Sequence, residues 1–154
     1  MAVILGIDPG IATVGFGAIK TENNKHTLIR CGAITTPAKT RLSTRLEQIH
    51  SDMLQLIDLF KPDAIAIEEL FFNNNAKTAI AVGQARGVII LAAVNKGVPI
   101  FEYTPLQVKQ AIVGYGRAEK KQVQQMTKAL LFLNEIPKPD DVAAISRYEG
   151  VLTQ

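Results

Sequence analysis

The spacing of apolar residues along the chain changes several times, and each change marks an element. Val3-Ile4-Leu5-Gly6-Ile7-Asp8 is apolar until its last position. Side chains alternate along a strand, so Val3, Leu5 and Ile7 share one face and Ile4, Gly6 and Asp8 the other. A segment apolar on both faces predicts a strand in the middle of a sheet. Pro9-Gly10 stops it, because proline brings no N–H to a ladder and glycine tolerates positive φ. Thr13-Val14-Gly15-Phe16-Gly17-Ala18-Ile19-Lys20 and Thr27-Leu28-Ile29-Arg30-Cys31-Gly32-Ala33-Ile34 follow, with a polar turn between them. Three extended segments joined by short turns predict an antiparallel meander. Gly15 and Gly17, on one face of the second strand, leave room for close packing or binding there.

The period then becomes helical. Leu42, Leu46, Ile49, Met53, Leu56 and Phe60 recur at three- and four-residue spacing, with Arg45, Glu47, Gln48, Asp52 and Gln55 between them. This predicts an amphipathic helix packed on the core and ended by Lys61-Pro62. His50 falls on its polar side and reads as a solvated histidine, with no second histidine or cysteine at ligand spacing. Asp63-Ala64-Ile65-Ala66-Ile67-Glu68 repeats the opening design, an apolar strand running into a carboxylate. Because it follows a helix, it is expected to lie parallel in the same sheet by a crossover. Glu68 and Glu69 point to opposite faces, so at most one can join Asp8.

Phe71-Phe72-Asn73-Asn74-Asn75 is a loop with two adjacent aromatics, which either tuck into the core or serve a partner. Residues 76–95 form a helix rich in small residues and apolar almost all round, which suggests burial against the sheet and against something else, such as another subunit. Gly83 and Gly87 allow a close approach on one side, and Lys96-Gly97 caps it. Pro99-Ile100-Phe101-Glu102-Tyr103 is a last strand, at or near an edge. The fold class is α/β, a mixed sheet of a three-strand antiparallel meander plus parallel strands, flanked by helices.

Beyond residue 104, Gly114-Tyr115-Gly116 makes a corner with Lys109, Arg117, Lys120 and Lys121 close around it. Such a cluster is either a solvated face or a grip on backbone phosphates, whose contacts are independent of sequence. A helix runs on through Val123, Met126, Ala129, Leu130 and Leu133. Pro139-Asp140 is a helix start signal, with Asp140 as N-cap and Asp141 in the first helical position.

Composition narrows the class without changing the element order. With 154 residues, 47% of them apolar, the chain is expected to be one globular domain spanning 1–154 with a real core. The single cysteine, Cys31, excludes an internal disulfide framework and a cysteine-rich zinc site. No charged-then-apolar leader opens the chain and no uninterrupted apolar run reaches spanning length, so a cytoplasmic protein with no membrane partner is expected. A net charge of +3 permits a polyanionic partner without requiring one.

Three carboxylates stand at element ends: Asp8, Glu68 and Asp141. Singly, Asp8 could be position i of an Asp-Pro-Gly turn, and Asp141 could complement a helix dipole. Two acids a few ångströms apart repel by roughly 1–4 kcal/mol, depending on the local dielectric. Gathering three therefore predicts a hard divalent cation, magnesium, with manganese as a substitute. Metal-held water attacking phosphorus makes phosphodiester hydrolysis the implied reaction.

Gly6-Ile7-Asp8-Pro9-Gly10, Ala66-Ile67-Glu68, Gly83-Gln84-Ala85-Arg86-Gly87, Phe101-Glu102-Tyr103, Gln107-Val108-Lys109-Gln110 and Ala118-Glu119-Lys120 closely resemble the RuvC-type Holliday junction resolvases, over residues 1 to about 143. The resemblance implies a ribonuclease H-like fold and a magnesium-dependent homodimer that nicks two opposing strands of a four-way DNA junction in recombination and repair. It also implies an association with the RuvA–RuvB branch-migration complex. On the matching positions, Asp8, Glu68 and Asp141 are implied metal ligands, Phe71 contacts bases, and Lys109 and Lys120 lie near the scissile phosphate. Phe72, Arg117 and Lys121 join them as DNA-contact candidates by position.

One departure stands out. The family's last motif carries a second aspartate three residues after the first, on the same helix face. Here position 144 is alanine, and Ser146-Arg147-Tyr148-Glu149-Gly150 makes the helix from about 144 atypical or truncated. Glu149 lies about 12 Å along a helix from Asp141, and Asp140 is about 100° around it, so neither replaces the missing acid. A junction-binding protein with lost or reduced cleavage is thus the alternative. A ribonuclease H-like nuclease acting on RNA–DNA hybrids is a third, weaker reading. An actin-like kinase also opens with Gly-x-Asp-x-Gly, but this chain is too short for two such lobes and lacks a second phosphate loop.

Overall fold

A computed structural model describes residues 1–23, 25–69, 76–104 and 107, with Glu68 and Ala76 described by their backbone alone. The elements run β1 (Ala2–Asp8), β2 (Thr13–Glu22), β3 (Lys25–Thr35), α1 (Leu42–Phe60), β4 (Ala64–Glu68), α2 (Ala76–Asn95) and β5 (Ile100–Tyr103). Among the described residues the strands form a mixed sheet in the order β3-β2-β1-β4-β5. The meander is antiparallel, while β4 and β5 join parallel to β1 through the crossovers that α1 and α2 supply. β1 is central, as its two apolar faces require, and among the described residues β5 lies at an edge.

The strands are slightly longer than their apolar cores. Thr21, Glu22 and Lys25 pair within the β2–β3 ladder, and Asn23 turns the hairpin with φ at 50°. Asparagine adopts this left-handed conformation more readily than most residues. An irregularity between Ala18 and Ile19 shifts the β2–β3 register, a bulge with no sequence signal ahead of it.

Both helices pack on one face of the sheet. Ile49, Met53 and Ile57 of α1 and Ala85, Ile89, Ala92 and Ala93 of α2 meet Leu5, Ile7, Val14, Phe16, Ile65 and Ile67. Full burial of aliphatic side chains of this size contributes about 1.5–3 kcal/mol each. Gly32 lies opposite Phe16, where a Cβ would sit 3.0 Å from the ring, and the Phe16 ring is 6.1 Å from that of Phe60. Leu42, in the first turn of the expected stripe, stays exposed. Lys61 ends α1 in the left-handed conformation, its N–H donating to the Ile57 carbonyl at 2.8 Å. At the other end of the crossover pair, Gly97, with φ at 68°, ends α2.

One detail differs from expectation. His50 is not simply solvated: its Nε2 lies 3.2 Å from the Asn95 amide nitrogen, tying α1 to the end of α2. Residues Lys77–Asn95 of α2, though interrupted by Gln84 and Arg86, are long and apolar enough to cross a membrane by length and composition. Ala85, Ile89, Ala92 and Ala93 nonetheless lie in the core against the sheet. On the opposite face of the sheet, Ile4, Ile19, Ala66 and Tyr103 form a second, smaller cluster.

Candidate active site

The site is built by register. Asp63 stands just before β4, and its Oδ2 accepts the Val3 N–H at 2.8 Å while its own N–H donates to the Val3 carbonyl at 2.7 Å. This two-point clasp aligns the parallel pair at its N-terminal end. The ladder then runs Ile4↔Ala64, Leu5↔Ile65, Gly6↔Ala66 and Ile7↔Ile67. One residue further, positions 8 and 68 end their strands side by side, about 4.8 Å apart by strand spacing. They fall on the same face, because paired residues in a ladder share a face.

Asp8 is half-buried and pairs across β2 with Gly15, while position 68 pairs across β5 with Tyr103. Gly15, Asp8, position 68 and Tyr103 thus form one row at the carboxyl ends of the central strands, where open α/β sheets place their sites. In the row below stand Gly17, Gly6 and Ala66. Small residues keep that face low beside the acids. Gly15 and Gly17, expected to allow close packing or binding, are both buried.

The turn after Asp8 needs its glycine. A Cβ at Gly10 would fall on the Thr13 carbonyl oxygen. Tyr103 is 2% exposed, and burial pushes its phenol above its ordinary pKa of 10.0. Among the described residues its hydroxyl is the buried side-chain polar atom without a hydrogen-bond partner. On the helix-covered face of the same strand ends, Arg86 of α2 and Glu102 of β5 form an ion pair at 2.8 Å. Two motif residues that carry the family resemblance therefore tie α2 to the edge strand beside position 68.

Asp8 and position 68 are brought together. Asp141, Phe71, Phe72, Lys109, Arg117, Lys120, Lys121 and Ala144 lie outside the described residues. Among the described residues no three histidine, cysteine or acidic side chains gather at one point. What the register does offer is two adjacent positions occupied by acidic residues, a residue type that suits a hard divalent cation and not a soft one. Asp63 went unnoticed as a structural residue because the apolar run after it reads as strand from the first position. Its role depends on Val3, sixty residues away.

Comparison with known proteins agrees with this geometry. The family model described as crossover junction endodeoxyribonuclease RuvC matches residues 4–146. The chain is 60% identical over 140 residues to the crossover junction endodeoxyribonuclease RuvC of Caldanaerobacter subterraneus subsp. tengcongensis, covering 91% of this chain and 85% of the relative. It is also 60% identical, over 141 residues, to that of Halothermothrix orenii, covering 92% and 86%. Among solved structures, Thermus thermophilus RuvC in complex with Holliday junction substrate superposes with a TM-score of 0.91 at 36% identity, over 97% of this chain and 92% of that one. With its central Asp8 strand, its crossover-placed position 68 and a match that spans nearly its whole length, the chain belongs to the RuvC family of crossover junction endodeoxyribonucleases.

Proposed function

We propose that this chain is a structure-selective endonuclease that resolves four-way DNA junctions by metal-dependent phosphodiester hydrolysis in recombination and repair. The observation that carries the reading is the register that ends β1 and β4 side by side at Asp8 and position 68, in a chain 60% identical to junction endonucleases. Asp8, Glu68 and Asp141 are the proposed ligands of magnesium, for which manganese substitutes. When bound, the metal activates water as a nucleophile and neutralises charge on the phosphate. Asp8 would supply a carboxylate whose backbone is held on its N-terminal side by the last rung of the β1–β2 ladder, which reduces the ordering left for the moment of binding. Lys109, Arg117, Lys120 and Lys121 are the proposed phosphate contacts, and Phe71 and Phe72 the aromatic contacts to bases.

A homodimer would give two such sites, one for each strand cut. The α2 surface supports it. Ile80, Leu91 and Val94 are 60%, 51% and 63% exposed, and with Gln84 and Gly87 they follow the 80, 84, 87, 91, 94 spacing of a coiled-coil seam. A Cβ at Gly87 would meet nothing of its own chain within 4 Å, leaving space for a second copy. Residues 1–154 are proposed as one cytoplasmic nuclease domain, working with the RuvA–RuvB complex. The alternative, junction binding without cleavage because of Ala144, is less favoured, since relatives 60% identical carry the endonuclease name.

A competition assay tests the reading. With magnesium, the protein should nick a labelled four-way junction in two opposing strands and ignore an excess of linear duplex, and chelator should stop cleavage while binding persists. Equal cleavage of duplex, or of an RNA–DNA hybrid, would contradict it.

A further inference from the structure

Thr36 is buried, at 8% exposed, and it is a polar residue among an otherwise apolar set of buried side chains in the described chain. Buried hydroxyls are retained where they satisfy other groups. This one does so in both directions. Its Oγ1 accepts a hydrogen bond from Arg45 Nε at 2.8 Å and donates one to the Ile11 carbonyl at 2.5 Å. Its backbone N–H donates to the Ala12 carbonyl at 3.0 Å. Ile11 and Ala12 belong to the turn of residues 9–12, which begins where Asp8 ends β1. The last rung of the β1–β2 ladder is Asp8↔Gly15, so the turn lies beyond the sheet. Its conformation is held from outside, by Thr36 after β3 and Arg45 in the first turn of α1.

Only a group that donates and accepts from one atom can complete this relay, and a hydroxyl is the smallest that does. Valine has nearly the same shape but would leave the Ile11 carbonyl and the Arg45 Nε–H unpaired; serine would keep both bonds. Groups outside the ligand set that fix how a ligand is oriented typically cost about 10–100-fold in metal affinity or activity when they are removed.

We propose that Thr36 and Arg45 are positioning residues for junction cleavage, holding the 9–12 turn so that the Asp8 carboxylate is presented to the metal. This rests on the reading of Asp8 as a metal ligand. The test measures manganese binding to the DNA-free protein by calorimetry, amide hydrogen exchange at residues 10–12, and single-turnover cleavage of a four-way junction. Thr36→Val should weaken manganese binding and slow cleavage by about tenfold or more. It should also speed exchange at Gly10, Ile11 and Ala12 and leave junction binding in chelator unchanged. Thr36→Ser should restore wild-type values, and Arg45→Gln should shift all three readouts in the direction of Thr36→Val. If Thr36→Val melts lower but binds manganese and cleaves as wild type does, the residue is merely structural and the proposal is overturned. It is overturned equally if Thr36→Ser and Thr36→Val behave alike. Asp8→Asn serves as the reference: if it binds manganese normally, the metal-ligand reading of Asp8 itself fails, whereas loss there with no change in Thr36→Val removes the relay alone.

Discussion

At the residue scale, the proposed site rests on a carboxylate at the last position of β1, with a second acidic position following in register at the end of β4. Both were legible as apolar strands ending in an acid, because a charge at the end of a buried segment breaks the pattern on either side of it. Tyr103 was not legible as a member of that row: an aromatic at the end of a short strand looks like ordinary β-propensity. Among the described residues its buried hydroxyl has no partner, and this predicts a measurable effect. Tyr103→Phe should raise stability at neutral pH by about 1 kcal/mol, measured by urea denaturation, because a desolvated hydroxyl without a partner is removed. The pH dependence follows from its raised pKa. Burial favours the neutral phenol, so wild-type stability is undiminished on this account below the ordinary value of 10.0 and falls as pH rises through the higher folded-state value. Tyr103→Phe should therefore lose less stability than wild type between pH 10 and more alkaline conditions. A larger alkaline loss in the variant would contradict the assignment.

At the element scale, the helices and strands follow from periodicity, and β4 was expected beside a parallel partner because α1 precedes it. What periodicity could not supply is register. That comes from Asp63, whose clasp on Val3 involves two residues with no shared local signal. Asp63→Ala should cost about 1 kcal/mol in urea denaturation, the worth of an ordinary hydrogen bond, while Asp63→Asn, which keeps a carbonyl acceptor, should cost less. The bulge between Ala18 and Ile19 and the Arg45–Thr36 relay were likewise invisible, since each is set by tertiary neighbours and not by the segment that carries it. The apolar character of α2 was legible, but its division was not. One side carries Ala85, Ile89, Ala92 and Ala93 into the core, and another leaves Ile80, Leu91 and Val94 exposed.

At the scale of the whole molecule, that exposed stripe makes assembly testable. Leu91→Glu, introducing a charge into an apolar seam, should convert the proposed dimer to a monomer in sedimentation equilibrium while leaving the fold intact by circular dichroism. The monomer should then lose paired nicking before it loses single nicks. A wild-type protein that sediments as a monomer would contradict the seam. Lys120→Ala should leave cleavage close to wild type at low salt and lower it progressively as salt rises, because the remaining phosphate contacts are screened. The measurement that bears most directly on the central claim is cleavage of a synthetic four-way junction by wild type and Asp8→Asn, each with magnesium and with chelator, beside binding of the same junction by gel shift. Wild type should cut two opposing strands only with magnesium, and Asp8→Asn should bind the junction without cutting it. A wild type that binds without cutting, or an Asp8→Asn variant that cuts at the wild-type rate, would contradict that claim.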